Sequence, residues 1–163
     1  MKTTIQNIAL IILVINCLLY VGYIVYRYGI QKSISMSFYN LPRRLQPWFR
    51  AFIWIMSACI IVIGWFELAY IISGIGLSIV GIFPRVKVGW KKKIHVAWAI
   101  VWMVAGFMSI LIHYNFNYQG WHQIAYFVSF AGIFYILNKN YIWWMEITAV
   151  LILVVNWAEF INM

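Results

Sequence analysis

Six side chains could carry acid–base or metal chemistry: Glu67, Glu146, Glu159, His95, His113 and His122, and the chain has no aspartate. Imidazole and carboxylate together can hold zinc or shuttle a proton. None of the six lies within a compact ligand motif, so any chemistry must come from the way the chain brings distant residues together. Ser33, Ser35 and Ser37 form an alternating hydroxyl row, followed by Tyr39. Cys17 and Cys59 fall inside apolar stretches, where they read as small packing residues and not as a disulfide framework.

The segments that must position these groups follow from composition. The chain has 163 residues, of which 66% are hydrophobic, 20% aromatic and 9% charged, with a formal net charge of +9. A typical soluble domain is about 25% charged. A water-soluble globule of this make-up could not cover its own core, which excludes an ordinary soluble enzyme, a disordered chain and a nucleic-acid module. The reading is an all-α, polytopic membrane helix bundle forming a single transmembrane domain over residues 1–163.

Six spans are expected, at 5–26, 51–66, 68–83, 94–114, 121–137 and 141–161. The run from Ala51 to Phe83 is interrupted only by Glu67. As one helix it would be about 50 Å long, well beyond a bilayer core of about 30 Å, so it should double back. Charge supports the same parse, because Lys and Arg gather in short cytoplasmic loops. With six spans, eleven of the twelve cations fall on one side and only Lys2 on the other. With five, the two basic loops would face opposite sides. Both termini are therefore expected outside, in a multi-pass protein of the cell membrane, with a bacterial inner membrane favoured. The first apolar run reads as a retained anchor, since no small-residue cleavage pattern follows it. Pro42 and Pro47 are expected to stop any long helix between Arg27 and Arg50.

Aromatic residues fit this topology. Trp48, Trp90, Trp143 and Trp144 are expected at the inner boundary and Trp65, Trp121 and Trp157 toward the outer one, with Trp54 and Trp102 deeper as packing residues. Gly74 and Ser78, with Gly76 and Gly81 nearby, mark a face that a neighbouring backbone can approach, within the protomer or between copies.

Topology sorts the ionisable residues into two sets. Glu67, His113, His122 and Glu159 share the outer depth and are weak metal candidates, since ordinary interfacial polar residues near loop ends explain them better. At the inner level Glu146 and His95 can join Ser33, Ser35, Tyr39, Arg85 and Lys87 in a polar vestibule. The plainer alternative is that Glu146 reaches the interface and pins its helix. The serine row, read locally, is a helix-start segment whose hydroxyls bond free backbone amides.

The stretch Ser33-Ile34-Ser35-Met36-Ser37-Phe38-Tyr39, the later Gly76-Leu77 and Val80 to Lys87, His95 with Ala99, and Trp143-Trp144-Met145-Glu146 together resemble small uncharacterised multi-pass membrane proteins of gut Bacteroidetes and their crAss-like phages. That resemblance covers most of the chain and implies a membrane protein without an assigned activity. More distantly, a serine motif after the first span and a histidine opening a later one are similar to DRAM/Frag-type proteins and to the CREST membrane hydrolases. The CREST pattern needs a serine, an aspartate and three histidines around a metal, and this chain lacks the aspartate.

Three functions are compatible with these residues. The first is a binding or transport module whose basic cytoplasmic face recognises anionic lipid or a small anion. The second is a structural or interaction protein that oligomerises without a ligand site. The third is a CREST-like metal-dependent hydrolase. The partners expected are the lipids of an anionic inner leaflet and, as an option, further copies of the chain. No nucleic acid and no cofactor are expected, and catalysis is disfavoured.

Overall fold

A computed structural model describes residues 2–84, 89–137 and 140–162. The described residues form seven α-helices with no strand among them: α1 (Lys2–Tyr28), α2 (Ile34–Asn40), α3 (Gln46–Ile63), α4 (Leu68–Ile82), α5 (Trp90–His113), α6 (Tyr118–Leu137) and α7 (Tyr141–Asn162), with a 3-10 turn at Arg43–Leu45 before α3. Five helical stretches are long and apolar enough to cross a membrane, and α4 is a shorter apolar helix.

The run around Glu67 turns back on itself. Gly64 closes α3 through its N–H to the Ile60 carbonyl, and a Cβ on Gly64 would stand 2.0 Å from the Tyr70 ring, so only glycine lets the returning helix pack there. Further along the pair, the Ser57 hydroxyl donates to the Gly74 carbonyl at 2.6 Å. Having one proton, Ser57 then accepts from Ser78, also at 2.6 Å. On its other side α4 meets α5, where a Cβ on Gly76 would lie 3.1 Å from the Trp102 backbone nitrogen. The small-residue face expected at 74–81 is therefore used inside the protomer, with α4 sandwiched between α3 and α5.

Two sequence expectations are corrected. Helix α3 starts at Gln46, five residues before the expected Ala51, because Pro47 sits in its first turn, where a missing N–H costs nothing. Trp54, expected as a packing residue, is 49% exposed on the outward face of α3, whereas Trp143 and Trp157, near the two ends of α7, are each 1% exposed. Helical phase, which a depth argument ignores, decides which way a tryptophan faces.

Polar side chains tie the helices end to end. Near one end Gln6 donates to the Ile63 carbonyl, and midway Asn16 donates to the Phe52 carbonyl, which sets α1 antiparallel to α3. Helices α5 and α7 run parallel. Gly106 packs against Leu153, and Tyr114 at the end of α5 donates to Glu159 near the end of α7. Helix α6 returns antiparallel and is peripheral, with only Gly120 and Phe127 buried. These directions gather the α1–α3 connection, the end of α4 and the starts of α5 and α7 at one end. The α3–α4 and α5–α6 turns lie at the other.

Candidate functional site

The first of these ends carries the charge. Arg27, Lys32, Arg43, Arg44 and Arg50, together with Lys91, Lys92 and Lys93, are all exposed there. Three carboxylates cannot neutralise twelve cations, so most of this charge has no counter-charge within the chain. Arg85 and Lys87, expected to line the vestibule, lie outside the described residues, as does Lys139.

Beneath the cationic surface α2 closes the bundle. Its start has the chemistry of a helix N-cap: Ser33 is extended (φ −163°) and its Oγ accepts from the Met36 N–H at 3.1 Å. The next free amide, Ile34 N–H, donates to Glu146 Oε2 of α7 at 2.5 Å. A carboxylate at this position is stabilised by a charge-assisted hydrogen bond. Ser37 donates back to the Ile34 carbonyl and so accepts from Tyr20 of α1, at 2.7 Å. The serine row is thus divided among three tasks: Ser33 caps α2, Ser35 faces inward, and Ser37 accepts the hydrogen bond from Tyr20.

A cavity of about 50 Å³ lies under α2, bounded by Ile34, Ser35, Phe49, Phe52, Ile53, Met56, Leu77, Val80, His95, Ala99, Trp102, Glu146 and Val150. It brings together three of the residues singled out from sequence: Ser35, His95 and Glu146. His95 is 4% exposed, and its Nδ1 lies 2.6 Å from the Phe83 carbonyl. A carbonyl can only accept, so Nδ1 carries a proton. Ser33 stays at the cap and does not line the cavity. Tyr39 is 37% exposed and packs edge-on against Phe38, away from the cavity.

One lining residue had no functional signal in the sequence. Trp102, placed there as a deep packing residue, is 7% exposed, and its indole Nε1–H is buried without an acceptor. Its backbone is otherwise engaged, the carbonyl accepting from Ser73 at 3.1 Å.

The outer set does not converge. Glu159 accepts from the Tyr114 hydroxyl. Glu67 precedes α4 without capping it and faces His113, and its Oε2 is buried with no partner. His122 is exposed on α6 between Tyr118 and Tyr126, with ring centroids 5.1 and 4.4 Å away. Among the described residues no three His, Cys, Asp or Glu side chains come together as a metal site. His95, at the far end of α5 from His113, cannot join them. No protein-family model, no curated protein and no solved structure matches this chain.

Proposed function

We propose that this chain is a six-span integral membrane protein of the cell membrane, with its cationic end in the cytoplasm and both terminal segments outside, acting as a binding or transport module that engages anionic lipid headgroups. The observation that carries this reading is the gathering of eight exposed cations at one end of the bundle. Each such residue near an anionic leaflet is worth about 1 kcal/mol. The sixth span is α4. It is only about 22 Å long at 1.5 Å per residue, but it reaches from the layer of Tyr70 and Trp157 to the layer of Phe83 and His95. A bilayer thins locally around a short helix at modest cost.

The anionic partner belongs on the exposed cations and not in the cavity. An anion entering the cavity would meet the Glu146 carboxylate, and the described cations stand outside. The purified chain, washed in mild detergent and examined by native mass spectrometry, should retain phosphatidylglycerol over phosphatidylcholine. The preference should fall when Arg43, Arg44 and Lys91 to Lys93 are changed to Gln. Equal retention of the two lipids overturns the reading. Topology has its own check: cysteines introduced by Asn40→Cys and Trp90→Cys should react from one side of the membrane and that from Phe66→Cys from the other. Labelling of positions 40 and 90 from different sides overturns the six-span arrangement.

A further inference from the structure

The eight exposed cations are not equivalent. At the start of α5 an open groove of about 840 Å³ runs along the helix, with Trp90, Lys92 and Lys93 at its mouth and Val96, Ala97 and Ile100 below them. Lys91 is not among its walls, and its Nζ lies over the Trp90 ring, 5.8 Å from the centroid. Residues 92, 96 and 100 share one helical face, as do 93 and 97, so a charged level passes directly into an apolar one. Val96, Ile100 and Val104 are all exposed. From Val96 to Val104 this stripe covers about 12 Å at 1.5 Å per residue, most of one leaflet's half of an apolar core about 30 Å thick. Trp90 is itself exposed at the mouth, where an amphipathic ring marks headgroup depth.

Each half of the groove restricts the occupant. The two ammonium groups at the mouth call for an anion, and the chain does not supply one. The first turn of α5 holds no acidic residue, and Glu146, the carboxylate at this end of the bundle, accepts from the Ile34 N–H. Lysines in a first helical turn also face the positive end of the helix dipole, so a bound anion relieves a repulsion that the fold leaves in place. A small soluble anion would leave the apolar wall of Val96, Ala97 and Ile100 unmatched. A choline headgroup would bring its own cation against the lysines. We propose that the groove seats one anionic glycerophospholipid, with its phosphodiester between Lys92 and Lys93, its glycerol at the level of Trp90, and one acyl chain along Val96, Ala97 and Ile100. This inference rests on the lipid-engaging reading above and sharpens it to a single molecule at the start of α5, distinct from the loosely held counter-charge around Arg27, Lys32, Arg43, Arg44 and Arg50.

The probe is phosphatidylglycerol, titrated onto the delipidated full chain in mild detergent and counted by native mass spectrometry. The first molecule should bind about tenfold more weakly to Lys92→Gln with Lys93→Gln, which removes both phosphate contacts. Lys91→Gln, or Arg43→Gln with Arg44→Gln, should change its affinity less than about twofold, as screened surface charges do. Ala97→Trp lies on an exposed position, keeps every charge and fills the apolar half of the groove, so it should weaken binding as much as the lysine pair does. Glycerol phosphate, which has the head without the chains, should not displace the lipid at the same concentration. Equal losses from Lys91, from the arginine pair and from Lys92 with Lys93 overturn the seated site while leaving the lipid preference intact. Unchanged binding in Ala97→Trp, or displacement by glycerol phosphate, overturns it in the same way. Equal binding of phosphatidylglycerol and phosphatidylcholine to the wild-type chain overturns both this inference and the reading beneath it.

Discussion

The two ends of the bundle treat their carboxylates in opposite ways. At the cationic end Glu146 is met by the Ile34 N–H, a donor that α2 cannot satisfy internally, and the bond joins segments 112 residues apart. At the other end Glu67 also stands beside a helix start, but caps nothing, and one of its oxygens is buried without a partner. Both are glutamates near the first turn of a helix. The difference is whether a backbone amide from another segment is aimed at the carboxylate, and that depends on packing, not on residue type.

That contrast can be broken experimentally, beginning with the largest effect. Gly64→Ala should destabilise the turn at the Glu67 end by about 3 kcal/mol, at the upper end of overpacking costs, because its Cβ would lie 2.0 Å from the buried Tyr70 ring. Thermal unfolding in detergent measures it, and a midpoint unchanged from wild type would show that the turn can relax. Glu146→Ala should cost about 1–3 kcal/mol by orphaning the Ile34 N–H and releasing α2 from α7. Faster proteolysis between residues 28 and 46 would show the release directly, and unaltered cleavage would mean that Tyr20 and Ser37 hold α2 alone.

Glu67→Gln should act in the other direction and more weakly. Burial lifts the Glu67 carboxyl above its ordinary 4.5, against the opposing pull of His113. The folded chain then binds that proton more tightly than the unfolded chain does. The associated stability is present below the ordinary carboxylate range and is lost as pH rises through the elevated value. The variant should therefore be more stable than wild type at neutral pH and should flatten this part of the pH dependence. Lower stability of Glu67→Gln at pH 7 would show instead that the charge is compensated there.

Much of the framework was legible along the chain because it follows from local rules. An apolar run too long for one span, broken by a single glutamate, has to turn, and the turn falls at 64–67. A serine ahead of a short amphipathic stretch caps it, as Ser33 does. The convergence of Ser35, His95 and Glu146 was partly readable from shared depth. Depth cannot tell which face of a helix a side chain occupies, however. That is why Tyr39 points away, Trp54 is exposed, and His122 and Glu159 stand apart from the facing pair Glu67 and His113.

By itself the sequence determined where the helices lie, where α3 must reverse, and which end of the bundle collects cations, because hydrophobic length, turn residues and charge act locally. Only the tertiary structure decided that Glu146 meets the Ile34 amide, that Trp102 is left with a buried donor, and that a small cavity opens between them. Those outcomes depend on the rotation and register of helices far apart in the chain, and side-chain packing between them sets both.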